Sequence, residues 1–174
     1  MERRKNGKIE TKPTDVDNNN AGCADHPYFD AVKRIGTVHT IEEFWSIYDY
    51  LVRPSNLPST TDYHFFREGI QPTWEDPHNS RGGKFSLRLP DKGLASRYWE
   101  EVVLAMLGGQ FMGVPDGEVC GAVVSVRGNQ KCILSVWSKT ADDPWVTNKV
   151  RESLRRVLQL PKNVPLPYQN HPQH

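Results

Sequence analysis

The sequence predicts an α+β domain in two layers, with helices packed on one face of an antiparallel sheet. Two observations predict it: three segments carry apolar residues at helical spacing, and three others alternate with period two. A third is that every alternating segment has one oily face and one face of small or polar residues that carries an Arg or a Trp. At 174 residues, 37% hydrophobic and 25% charged, the chain suits one globular domain with a sizeable core. It contains no internal repeat and no second domain.

Residues 1 to 24 hold almost no large apolar side chains and many Asn, Lys and Asp, too little to offset the entropy of ordering. They read as a disordered tail ahead of a domain over residues 25 to 174. The first helix is "TIEEFWSIYDYLVRP": Thr40 with Glu43 forms a capping box, Pro54 stops it, and Ile41, Phe44, Trp45, Tyr48, Leu51 and Val52 recur on one face. A second helix runs through "ASRYWEEVVLAMLGG", with Trp99, Val102, Val103 and Met106 in its stripe and Gly108 as the C-terminal cap. The third is "DPWVTNKVRESLRRVLQLP", capped by Asp143 with Pro144 in its first turn.

Between the helices, "GKFSLRLP" sets Phe85, Leu87 and Leu89 against Lys84, Ser86 and Arg88. "CGAVVSVRG" sets Ala122, Val124 and Val126 against Gly121, Val123, Ser125 and Arg127, and "CILSVWSK" sets Cys132, Leu134 and Val136 against Ile133, Ser135 and Trp137. Helices can cover the oily face, which leaves an open face where Arg88, Arg127 and Trp137 can converge.

A net charge of +1 gives no global field for nucleic acid or membrane, so an anionic ligand must be held by local groups. The longest apolar run, Val102 to Leu107, is far too short to span a bilayer, and the N-terminus has no signal-peptide hydrophobic segment; the expectation is a soluble, cytoplasmic, monomeric protein. Cys23, Cys120 and Cys132 have no metal-ligand spacing and read as reduced thiols. No P-loop, dinucleotide fingerprint or nucleophile with an adjacent base is present, so neither enzyme activity nor a cofactor is expected.

The informative loop is "PTWEDPHN", residues 72 to 79. An indole face attracts flat cations and stacks on bases, worth about 1–3 kcal/mol per base. A carboxylate beside it accepts two hydrogen bonds, which suits the ring N–H and amine of a guanine. Trp74 with Glu75 thus reads as a site for a positively charged guanine, with Arg88, Arg127 and Lys131 for its phosphates. The plainer alternative is that Trp74 is a packing residue, Glu75 and Asp76 turn carboxylates, and the arginines solvated strand residues. A metal-dependent hydrolase using Glu75, Asp76 and His78 is a third, minor reading.

The runs "PTWEDPHNSRGGKFSLRL", "EEFWSIYDYLVRP", "YWEEVVLAMLGGQF", "EVCGAVVSVR", "SVWSKTADD" and "RESLRRVLQLP" resemble the eukaryotic translation initiation factor 4E family of mRNA cap-binding proteins, most of all the branch called 4E-homologous protein. The resemblance extends over about residues 28 to 171. It implies a curved antiparallel sheet backed on its convex face by three helices, with the 7-methylguanosine cap in the concave face. It further implies that Trp74 stacks on the methylated base, Glu75 pairs with the guanine edge, Trp137 lies against the methyl group, and Arg88, Arg127 and Lys131 hold the phosphates. Scaffold or repressor proteins bearing a Tyr-x-x-x-x-Leu-hydrophobic helix would dock on the convex side at His26, Pro27, Ile41, Trp45, Glu101 and Leu104. Activation and repression of translation both fit this resemblance.

One departure stands out. After His26–Pro27 the chain runs directly into "YFDAVKRIGTVHTIEEFW", so the family's first strand and the aromatic that forms the second slice of the cap sandwich are missing from that place. Neither Tyr28 nor Phe29 is expected to replace that aromatic. The expectations are a sheet with unpaired edge groups and a cap affinity reduced about tenfold to hundredfold, the worth of one stacking partner. An interaction protein that binds partners with little cap affinity is the alternative.

Overall fold

Two-layer packing follows from strand alternation, and the computed structural model, which describes residues 7–13, 32–127 and 131–172, shows it throughout. Its strands are β1 (Gly7–Pro13), β2 (Lys33–Val38), β3 (Thr61–Arg67), β4 (Gly83–Leu89), β5 (Val119–Arg127), β6 (Lys131–Ser138) and β7 (Tyr168–Asn170). Helices α1 (Ile41–Tyr48), α2 (Leu94–Leu107) and α3 (Pro144–Val157) complete it. The strands form one curved antiparallel sheet in the order β2-β1-β3-β5-β6-β4-β7. Phe85, Leu87, Ala122, Val124, Leu134 and Val136 point to the helices, where Phe44, Trp99, Val102, Val150 and Leu154 meet them in the core.

The tail expected over residues 1–24 fails at Gly7–Pro13. This segment is β1, paired with β3 along all seven residues, from Gly7↔Arg67 to Pro13↔Thr61, and with β2 from Gly7↔Val38 to Thr11↔Lys33. Composition is a poor guide here, because a slot flanked by two strands offers backbone partners on both sides to any chain with one well-placed apolar residue. Ile9 is that residue, buried in the core. Gly7 fits because a Cβ there would stand 1.9 Å from the Phe65 ring. Glu10 is buried on the other face and paired with Lys8 at 2.6 Å. The strand expected to be missing is therefore supplied from upstream, and the β3 ladder is paired on both sides rather than left open. Residues 1–6 and 14–24 lie outside the described residues.

α1 begins where read, with Thr40 Oγ1 accepting the Glu43 N–H at 3.1 Å. Glu43 reaches one residue further back than a capping box requires and accepts the His39 N–H at 2.7 Å. The helix ends at Tyr48, well before Pro54, because Arg53 turns back to donate to the Tyr48 carbonyl at 2.7 Å and to Asp49 at 3.0 Å. Leu51 and Val52 consequently leave the helical stripe. α3 starts as expected: Asp143 accepts the N–H groups of Trp145 and Val146 at 2.9 and 3.2 Å.

Candidate functional site

The loop between β3 and β4 is built by two polar side chains. Asp76 accepts the Gln71 N–H with one oxygen and the His78 N–H with the other, both at 2.8 Å. Asn79 donates to the carbonyls of Gln71 and Thr73 at 2.8 and 2.7 Å. These bonds fold the "PTWEDPHN" segment into a fixed turn that leaves Trp74 half-buried and Glu75 exposed. Trp74 packs on a small apolar cluster of Phe66, Ile70, Cys120, Val123 and Trp137, set apart from the main core. Gly121 makes this possible: it pairs with Trp137 across the sheet, and the Phe66 ring lies 2.4 Å from where a Cβ would be. Phe66 in turn meets Trp137 edge-on, with ring centroids 5.4 Å apart.

Trp74, Glu75 and Trp137 line one cavity of about 370 Å³. Arg88 and Arg127 line a second, of about 630 Å³, among Ser86, Ser125 and Ser135. Lys84 and Gln169 belong to both walls, so the two spaces adjoin. The alternation read from the sequence thus brings five of the six expected cap-site residues to one surface. Lys131 lines neither cavity; it is exposed at the start of β6, in register with Arg127. Arg127 is committed to a forked pair with the buried Asp62, at 2.6 and 3.1 Å, which fixes its guanidinium at the rim.

Sequence reasoning missed Lys84 and the C-terminal wall. Lys84 follows from the same period as Ser86 and Arg88, and its ammonium lies 6.0 Å from the centre of the Trp137 ring. Nothing in the sequence marks the wall: β7 pairs only three residues with β4, and His171 then donates its N–H to the Gly82 carbonyl at 3.0 Å. The His171 ring, 6% exposed, lies against Trp137 with centroids 4.2 Å apart. Burial, and then the charge of Lys84, push its pKa down from 6.5 to about 4. The fold therefore holds a neutral imidazole. Its contribution to stability is constant above pH 6.5 and declines as the pH falls toward 4, since the unfolded chain takes up the proton first.

The hydrolase reading loses its ligands to other duties. Asp76 is the brace of the loop and His78 Nδ1 faces it at 3.0 Å, while Glu75 points away into the cavity. Among the described residues no group of three His, Cys, Asp or Glu side chains is placed to hold a metal ion. Cys120 and Cys132 are free thiols, and burial pushes Cys120 up to about 12, so it is protonated at neutral pH. Among the described residues no helix is long and apolar enough to cross a membrane.

Comparison with known proteins agrees with this geometry. The sequence pattern described as "Eukaryotic initiation factor 4E" matches residues 10–174. The chain belongs to the eukaryotic initiation factor 4E family. It is 48% identical over 144 residues to eukaryotic translation initiation factor 4E-4 of Caenorhabditis elegans, covering 83% of this chain and 66% of that one. Against initiation factor NCBP of Oryza sativa it is 43% identical over 150 residues, covering 86% of this chain and 64% of the relative. The chain thus spans slightly less than two thirds of the length of these relatives. Among solved structures, C. elegans eIF4E-3 in complex with the 4E-binding protein Mextli superposes with a TM-score of 0.85 at 29% identity, over 97% of this chain and 92% of that one. Ascaris suum eIF4E-3 in complex with m7G cap gives 0.84 at 29%, over 97% and 90%.

On the convex side of this 4E-family fold, α1 carries Ile41 and Trp45 and α2 carries Glu101 and Leu104. Trp45 is half-buried and Ile41 is 40% exposed at the start of α1. The Arg53 guanidinium lies 4.0 Å from the Tyr48 ring centre and 5.9 Å from that of Trp45, and reaches Glu100 of α2 at 4.0 Å. Next along α2, Glu101 is held by Arg97 at 2.9 Å, with Leu104 half-buried one turn on. His26 and Pro27, and with them Tyr28 and Phe29, lie outside the described residues.

Proposed function

We propose that this chain binds the 7-methylguanosine cap of mRNA on the concave face of its sheet, in translation initiation or its repression. The observation that carries the reading is the pair of adjoining cavities, one with Trp74, Glu75 and Trp137, the other with Arg88 and Arg127. Trp74 stacks on the cationic base, Glu75 accepts from its guanine edge, and Trp137 lies toward the methyl group. Arg127, oriented by Asp62, holds a phosphate with Arg88 and Lys84, and Lys131 adds charge at the rim. Likeness to the Ascaris suum protein, whose structure holds m7G cap, supports this placement. In this reading the protein works in the cytoplasm, where capped mRNA is translated. Retention on 7-methyl-GTP resin, competed by free 7-methyl-GTP but not by GTP, tests the reading; elution by both equally would refute it.

Lys84→Ala is expected to weaken 7-methyl-GTP about tenfold, the worth of one charge-assisted contact, and to leave 7-methylguanosine, which has no phosphate, nearly unaffected. Titration with both ligands checks this.

A second reading, a protein that chiefly captures 4E partners, is favoured by the exposed apolar Ile41 beside Trp45 on α1. The partner is a helix with a Tyr-x-x-x-x-Leu-hydrophobic pattern, docked on Trp45, Glu101 and Leu104. Likeness to a C. elegans protein solved with the 4E-binding protein Mextli supports it. Trp45→Ala is expected to remove about 2 kcal/mol or more from peptide binding, as an aromatic anchor does, without changing retention on cap resin. Pull-down with such a peptide checks both halves of that statement.

A further inference from the structure

We propose that His171 is a positioning residue of the base slot: its imidazole backs the Trp137 indole and so sets the preference for a 7-methylated base. This deepens the cap-binding reading and rests on it. Three observations converge. The imidazole lies 4.2 Å from Trp137, ring centre to ring centre, at a tilt of 41°. It is 6% exposed and belongs to the wall of the cavity that Trp74 and Glu75 also line. Its Nε2 is buried with no hydrogen-bond partner among the described residues.

The surroundings explain how the ring is kept there. The His171 backbone is pinned to the Gly82 carbonyl, and β7 fixes the preceding residues beside β4. Trp137 is also met edge-on by Phe66, so the indole touches two rings. The charged groups lining the same cavity are Lys84 of β4 and Glu75 of the loop; beneath Trp137 lie Phe66 of β3, beside the titratable His64, and the protonated Cys120 of β5. Burial, and then the positive charge of Lys84, keep the imidazole neutral against the indole. A tilted ring contact of this kind is worth about a 2- to 10-fold factor in the population of the correct indole orientation. Since Trp137 lies toward the methyl group, that factor falls on the methylated ligand and not on the phosphates that all guanine nucleotides share.

The test uses the full chain as wild type, His171→Ala and His171→Phe, each checked for folding by thermal melting and titrated with 7-methyl-GTP and GTP at pH 7.5. The expected result is that His171→Ala lowers the preference for 7-methyl-GTP over GTP about 2- to 10-fold and that His171→Phe, which keeps a ring, restores it. Equal weakening of both ligands, or an unchanged preference in His171→Ala, overturns the proposal. A wild type that shows no preference for the methylated nucleotide refutes the cap reading itself, and the proposal with it. Should His171→Ala fail to fold, the decision rests on His171→Phe and on the free protein: acidification toward pH 4 must quench indole emission in wild type, through protonation of the imidazole against Trp137, but not in His171→Phe. Absence of that difference means that the contact does not govern Trp137.

Discussion

Replacing Trp74 by alanine is expected to weaken 7-methyl-GTP binding about 10- to 100-fold while leaving the melting temperature within a few degrees of wild type. The two halves of this expectation come from different parts of the structure. Trp74 is only half-buried, on a satellite apolar cluster, and the loop that carries it is held by Asp76 and Asn79 rather than by the indole. Its removal therefore costs little packing and leaves the loop intact. The ligand, by contrast, loses the face on which a cationic base stacks. Fluorescence or calorimetric titration together with a thermal melt reads both; unchanged binding would mean that the base lies elsewhere.

Deleting residues 1–13 is expected to cost several kcal/mol of folding stability, a large share of the roughly 5–15 kcal/mol that a domain of this kind possesses. Ile9 alone, fully buried beside the Phe65 strand, accounts for about 2–5 kcal/mol when it is lost. The deletion also uncovers the ladders of β2 and β3, whose free N–H and C=O groups then invite pairing between molecules. Denaturant unfolding should show a lower midpoint, and the shortened chain should aggregate at concentrations where the full chain does not. Ile9→Asp is the milder version of the same test. A truncated chain as stable as the full one would contradict the role assigned to β1.

Legibility followed the physics of each element. The three helices and β4 were readable because each has one buried face, and β5 and β6 because their second face carries small or polar residues such as Gly121, Ser125, Ser135 and Arg127, so the period shows in the sequence even where that face is buried. β3 did not show, since Asp62, His64 and Phe66 are buried as fully as Tyr63 and Phe65 and the alternation vanishes. β1 was misread as tail because the ladder that recruits it belongs to β2 and β3, which no local composition reveals. β7 is three residues long and is defined by its neighbour β4. In the site, Trp74 and Glu75 announced themselves by an unusual loop composition, and Arg88 and Arg127 by strand period. His171 gave no sign, because its importance comes from a tertiary contact with Trp137.

The convex face shows the same division. Trp45 lies on the apolar stripe of α1 and reads as core by period alone, yet it is only half-buried, with the Arg53 guanidinium 5.9 Å from its ring centre.

The most direct test is a paired titration of the full chain with 7-methyl-GTP and GTP at physiological salt, followed by tryptophan emission. Saturable quenching by 7-methyl-GTP, with GTP at least about tenfold weaker because it lacks the positive charge that the indole attracts, is the predicted result. Equal affinity for the two nucleotides, or no saturable binding of either, would contradict a cap site built on Trp74, Glu75 and Trp137.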